Sequence, residues 1–147
     1  AKESHMKLIE IIKGKQKEII KIRADRTIAE AANTIAQNKI GALLVDDEAG
    51  TIVGILSERD IVRGMSQHGA NLQDVKVSEL MTSNLIRCAP GDTVNEAMAM
   101  MTDRHIRHLP VFEGEQLVGF ISIGDLVKCR MMEVQSEAEA LLQYIHS

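Results

Sequence analysis

Two short stretches of this 147-residue chain place a hydroxyl and a carboxylate three residues apart: Ser57-Glu-Arg-Asp60 and Ser122-Ile-Gly-Asp125. At a helix start this spacing has a structural use, the serine capping the helix and the aspartate answering the cap's own N–H. It also has a chemical use, because the backbone N–H groups and the helix dipole there favour an anion. A carboxylate can accept both hydrogens of a ribose cis-diol, while the serine hydroxyl and helix amides can face phosphate oxygens. The two stretches are not equivalent, since Arg59 lies inside the first and Gly124 takes its place in the second. Arg59 could hold a phosphate bidentately or simply extend from a solvated first turn.

A second group of residues carries charge. Arg104, His105, Arg107 and His108 form a dense cationic cluster on the run into an apolar segment, where alternation sends Arg107 and His108 to opposite faces once the strand has begun. The corresponding positions earlier in the chain are Asn38, Lys39, Gly41 and Ala42. The small Gly41-Ala42 pair would leave room for a flat base, and the later cluster would supply charge for phosphate; drift between duplicated halves explains the same difference. His105 and His108 lack an obvious third ligand, so no metal site is expected. No GxxxxGK[ST], GxSxG or HExxH pattern occurs, and neither cysteine has an evident base partner. No catalysis is expected.

The elements that would position these residues come from an internal repeat. Ile20, Thr27, Glu30, Ala31, Ile40, Leu43 and Val45 recur as Ile86, Thr93, Glu96, Ala97, Ile106, Leu109 and Val111. One residue fewer separates the later matches, in which Val53, Gly54, Ser57, Asp60 and Val62 recur as Val118, Gly119, Ser122, Asp125 and Val127. Each copy reads as a short first strand (19–22, 85–88), then a helix opened by a Thr-x-x-Glu capping box at Thr27 or Thr93. A buried strand (42–45, 108–111), a turn (46–50, 113–115), a returning strand (52–56, 117–121) and a second helix follow. The apolar stretches 8–12 and 77–81 lead into the two copies, 63–74 has the polarity of a linker, and 128–147 reads as a terminal helix. Two βαββα units too small to bury a sheet face alone should pack sheet to sheet as one pseudo-twofold α/β (α+β) module. The expected boundaries are 6–70 and 71–131 for the copies with their lead-ins, and 132–147 for the C-terminal helix.

The carrying stretches 53–60 (VGILSERD), 104–111 (RHIRHLPV) and 118–125 (VGFISIGD) resemble those of a tandem cystathionine β-synthase (CBS) domain pair, or Bateman module, here stand-alone. The resemblance implies regulatory binding of an adenosine compound such as AMP, ADP, ATP, NAD(H) or S-adenosylmethionine in clefts between the repeats. It weights both Ser-x-x-Asp stretches toward ligand binding. It also implies contacts from Arg107, His108 and Pro110, and apolar adenine walls from Ile22, Ile40 and Ile55 in one cleft and Cys88, Ile106 and Phe120 in the other. Similar modules pair into flat homodimers through their helices, so a homodimer acting on a regulated protein is expected. The rival reading is a protein-interaction or dimerisation module with vestigial clefts, and a nucleotide-hydrolysing enzyme ranks last.

Composition narrows the partners. A formal charge of −4 offers no basic excess for nucleic-acid phosphates or anionic lipid. One Tyr, two Phe and no Trp leave little for stacking single-stranded bases. Cys88 and Cys129 lack metal or CxxC spacing and read as free thiols in a reducing compartment. No apolar run is long enough to span a bilayer, and the cytoplasm is the expected location. Residues 1–5 (AKESH) read as the remnant of a cleaved tag, with Met6 as the expected native start.

Overall fold

The computed structural model describes residues 6–15 and 18–146, so the tag reading of residues 1–5 lies outside them. In chain order the elements are α1 (Leu8–Gly14), β1 (Lys21–Arg23), α2 (Ile28–Asn38), β2 (Ala42–Asp46), β3 (Ile52–Ser57), α3 (Glu58–His68), a 3₁₀ turn (Gly69–Asp74), α4 (Val77–Leu80), α5 (Val94–Arg104), β4 (His108–Glu113), β5 (Gln116–Ser122) and α6 (Ile123–His146). The chain divides into two compact units at Lys17/Glu18 and again at Leu85/Ile86.

In the first unit, residues 18–85, β1 runs parallel to β2 and β2 antiparallel to β3. The Thr27 hydroxyl accepts from the Glu30 N–H to open α2, as the capping pattern predicts. The helix closes on Lys39, a non-glycine residue in the left-handed region (φ 54°). The N–H groups of Lys39 and Ile40 then return to the carbonyls of Ala36 and Ile35, which is the Schellman arrangement, with Ile40 packed onto the core beside Ile35. Ile28, Ala31 and Ile35 of α2 meet Ile22, Leu43, Val45 and Leu56 of the sheet in one buried cluster.

The second unit repeats this plan with one strand reduced. α5 opens on Thr93 and closes on His105 (φ 55°), with the Ile106 N–H on the Met101 carbonyl. β4 and β5 form an antiparallel pair. The strand expected at 85–88 is only a parallel bridge between Cys88 and Val111. Cys88 makes one rung, its N–H donating to the Pro110 carbonyl at 3.0 Å and its carbonyl accepting from Phe112 at 2.8 Å. The two prolines of the chain bracket that rung. Pro110 has no N–H for the rung before it, and Pro90 has none for the rung after. In the first unit the position equivalent to Pro90 is Ala24, whose N–H donates to the Asp46 carbonyl at 2.9 Å.

The expected linker 63–74 is instead structured. α3 continues to His68, and a 3₁₀ turn buries Leu72. Gly64 permits this packing, since a Cβ there would lie 2.5 Å from Leu80 Cδ1 and 2.9 Å from Leu72 Cδ1. The terminal helix is likewise not separate, because α6 runs without a break from Ile123.

Each lead-in packs in the unit of the other copy, so the packing units differ from the boundaries expected at 6–70 and 71–131. The N–H groups of Val77 and Ser78 donate to Arg26 and Ala24, and Ile28 donates back to Val75. Equivalently, Leu8 and Ile9 donate to Asp92 and Pro90, and Val94 donates back to Met6. The two contacts close on the central strand glycines: a Cβ on Gly54 would meet Met81 Sδ at 2.7 Å and the Thr82 carbonyl at 3.0 Å, and one on Gly119 would meet Ile12 at 2.7 Å. Gly54→Ala should therefore cost about 1–3 kcal/mol in urea unfolding, because a backbone carbonyl cannot rotate away as a side chain can. Gly14→Ala, with nothing within 4 Å of the new Cβ, should leave stability unchanged or raise it.

Candidate functional site

The strand registers decide which candidate residues share a face. In the second unit His108 lies opposite Ser122 and Pro110 opposite Phe120, so these four occupy one side of the β4–β5 pair. Leu109, Val111 and Ile121 point to the other side, into the helix-covered core. The His108 and Phe120 rings stack with centroids 5.5 Å apart and planes 29° apart. Ser122 ends the strand and starts α6, and the Ile123 N–H donates to the Arg107 carbonyl at 2.8 Å, tying the exposed Arg107 to the helix start.

Ser122 and Asp125 form the reciprocal capping pair, with the Asp125 N–H on Ser122 Oγ at 3.1 Å and the Ser122 N–H on Asp125 Oδ2 at 2.8 Å. A lysine that the sequence reading does not single out joins them. Lys15, just past the end of α1, places Nζ 2.8 Å from Asp125 Oδ2 and 3.0 Å from the Phe120 carbonyl. Among the described residues the bonds to Asp125 converge on Oδ2, and Oδ1 accepts none. Burial works hardest on this carboxyl, against its charged form, but the bonds from Lys15 and Ser122 outweigh it and hold its pKa below the ordinary value. His108 moves down as well: burial disfavours its cation, and Lys15 and Arg107 add to this against the opposing pull of Asp125. Burial thus favours its neutral imidazole, and Lys15 and Arg107 bring positive charge beside it.

The first unit uses the same parts differently. Ala42 lies opposite Ser57 and Leu44 opposite Ile55, which puts Ala42, Ile55 and Ser57 on one face, and the Glu58 N–H donates to the Gly41 carbonyl at 3.0 Å. Asp60 is fully engaged, its Oδ2 accepting from the Ser57 N–H at 2.9 Å and its Oδ1 from Arg63 at 2.7 Å. Its side chain is 5% exposed, against 24% for Asp125. Arg63, another residue the sequence reading passes over, pairs with Asp60; Arg59 lies in the exposed first turn.

Four of the residues expected as adenine walls lie in or against the two cores. Ile22 and Cys88 pair with Val45 and Val111, both on the core side of their sheets, and are buried in the two cores. Ile40 and Ile106 are partly buried and pack on those cores as the residues that close α2 and α5. Cys88 and Cys129 are free and buried, and burial first, then nearby carboxylates, pushes both thiols up to about 11, too high for an activated nucleophile. Among the described residues no three His, Cys, Asp or Glu side chains gather as a metal would need, and no helix is long and apolar enough to cross a membrane. A cavity of about 660 Å³, the size of small-molecule pockets, opens between α1 and α6 and reaches Lys15 and Asp125.

The CBS domain family matches residues 10–67 and 77–131. This chain belongs to that family, as a tandem pair of CBS domains. It is 36% identical over 125 residues to a mitochondrial CBS-domain-containing protein of Arabidopsis thaliana, covering 82% of this chain but spanning only 61% of that protein's length. A crystal structure of a CBS-domain-containing protein from Agrobacterium tumefaciens superposes with a TM-score of 0.83 at 37% identity, covering 88% of this chain and 97% of that one. The CBS domain pair of protein MJ0100, solved in complex with 5′-methylthioadenosine and S-adenosyl-L-methionine, superposes with a TM-score of 0.76 at 25% identity, covering 87% and 98%.

The two aspartates should respond differently to substitution. Asp60→Ala strands the half-buried Ser57 N–H and releases Arg63, and should lower unfolding free energy by about 1–3 kcal/mol. Because the folded Asp125 carboxyl titrates below its ordinary 3.8, its contribution is complete above that value and is lost as pH falls through the folded pKa. The stability gap between the wild type and Asp125→Asn should therefore close between about pH 5 and pH 2 in urea titrations.

Proposed function

We propose that this chain is a regulatory module that binds an adenosine compound, has no catalytic activity, and acts on a partner protein from the cytoplasm. The observation that carries the reading is the open Oδ1 of Asp125 beside a stacked His108–Phe120 pair. An ionised carboxylate oxygen that accepts from none of the described residues can take a ribose hydroxyl, and the Phe120 ring supplies the apolar wall an adenine needs. The adenosine-containing ligands of the MJ0100 domain pair support the same class of ligand here. The first-unit site is the weaker candidate, because Asp60 would have to give up Arg63 or share it. AMP, ATP and NAD(H) are the ligands we favour. Regulation then follows from unequal affinity of the ligand for two states of the module.

A homodimer is the assembly we favour. Val127, Met131, Val134, Ala138, Leu141 and Ile145 recur along α6 at alternating spacings of four and three, which is the seam of a two-stranded coiled coil. Its large members are all exposed. A projecting helical end of this length is marginal in water without a partner, and a second copy of the same seam is self-complementary. By light scattering the wild type should be a dimer, and Leu141→Glu with Ile145→Glu a folded monomer.

The ligand test is a thermal-shift series with AMP, ADP, ATP, NAD⁺, NADH and S-adenosylmethionine on protein freed of co-purified nucleotide. A ligand at 100 times its Kd should stabilise by about 2.7 kcal/mol. That stabilisation should vanish in Asp125→Ala and survive, on a lower baseline, in Asp60→Ala. No shift with any of the six compounds would leave the interaction-module reading in its place.

A further inference from the structure

The segment that leads into α1 meets α6 through sulfur. The Cys129 thiol reaches Met6 Sδ at 2.9 Å and Glu133 Oε1 at 3.5 Å. Met132 stands three residues after Cys129 on α6 and so shares that face of the helix. All three sulfur side chains line the cavity between α1 and α6, and none of them takes part in the adenosine site. From this juxtaposition we infer a binding site for a soft monovalent metal ion, Cu(I), with the Cys129 thiolate and the Met6 and Met132 thioethers as its ligands.

A thiol that donates to a thioether holds a proton between two sulfur atoms, and a metal ion can take that proton's place. The Cys129 S–H bond breaks and an S–Cu bond forms. The proton passes to the Glu133 carboxylate and on to water, so one singly charged cation replaces another and nothing is oxidised or reduced. Thiolate and thioether donors select Cu(I) over ions that prefer oxygen. Burial, followed by Glu133 and Glu10, pushes the Cys129 thiol up to about 11. Burial disfavours the bare thiolate, but a copper thiolate is neutral and escapes that cost. The carboxylates that oppose the thiolate favour an arriving cation. Around the cavity Glu10, Asp125, Glu133 and Glu137 stand against Lys15 and Lys128, and Lys15 is held by Asp125 at 2.8 Å. Cys88 also meets a thioether, Met100 Sδ at 3.8 Å, but is 3% exposed inside the core and serves as the contrast.

The experiment titrates the full chain with Cu(I), free of oxygen, against the chromophoric Cu(I) chelator bicinchoninate, with the unfolding midpoint of each variant recorded. Wild type and Cys88→Ser should each withdraw a single equivalent of copper from the chelator, and Cys129→Ser none. Met6→Leu and Met132→Leu conserve volume, so the fold should hold. Each should weaken copper binding by at least about ten to a hundred times, the loss typical of groups one shell further from a metal. A wild type that leaves the copper with the chelator overturns the site, as does a Cys129→Ser chain that binds it undiminished. Undiminished binding in both Met→Leu variants overturns it too, because the ion would then rest on a thiol alone. Should Cys129→Ser fail to fold, the two Met→Leu variants decide between these outcomes by themselves.

Discussion

The backbone bonds from Val77 and Ser78 to Arg26 and Ala24, with their counterparts from Leu8 and Ile9 to Asp92 and Pro90, are the contacts on which both units depend. Each unit has a small sheet, one helix-covered core and a chain entry that needs pairing. A segment from ahead of the other copy fills that need, burying Val77 and Leu80 in one unit and Leu8 in the other. The fit is possible because Gly54 and Gly119 carry no Cβ where Met81 and Ile12 arrive. A duplication read as two consecutive halves is therefore, in packing terms, two halves that exchange their first helix.

The same exchange makes the two carboxylate sites unequal. α4 is four residues long, and the chain leaving it pairs with β3, the Thr82 N–H on the Ile55 carbonyl at 2.8 Å and the Ile55 N–H on the Thr82 carbonyl at 3.0 Å. α1 is seven residues long. At Phe120, the position equivalent to Ile55, the carbonyl accepts instead from the Lys15 side chain. A backbone rung in one unit is thus replaced by an ammonium group in the other, and that ammonium goes on to pair with Asp125. In the first unit Asp60 takes its cation from its own helix, three residues along.

What could be read in the sequence was what local geometry determines. The capping serines and threonines at Thr27, Ser57, Thr93 and Ser122, the apolar runs that bury Leu43, Val45, Leu109 and Val111, and the repeat itself are fixed by neighbours a few residues away. The candidate site was half legible: Ser122, Asp125, His108, Pro110 and Phe120 gather on one side because strand period and helix cap both point them there. Ile22 and Cys88 turn to the core, because a short parallel strand presents its apolar residue there, and family likeness does not say which side that is. Lys15 was out of reach, since its place depends on the exchange and not on spacing. The reduced strand at Cys88 was within reach: Pro90 and Pro110 deny the ladder its flanking donors, and both stand in the sequence.

Ser-x-x-Asp is a cap first, and capping alone explains why both copies carry it. What separates a cap from a binding group is whether the carboxylate has an oxygen to spare. Asp60 spends one oxygen on Ser57 and the other on Arg63, and is buried around both. Among the described residues Asp125 gathers Ser122 and Lys15 on a single oxygen, so the cap and the ion pair leave its other oxygen without a described donor. Removing Arg63 would not make the first site a copy of the second, because no lysine follows α4 and Thr82 already occupies the carbonyl that Lys15 uses as its second anchor. The chemistry of the second unit is set by how far its borrowed helix runs before the chain turns away.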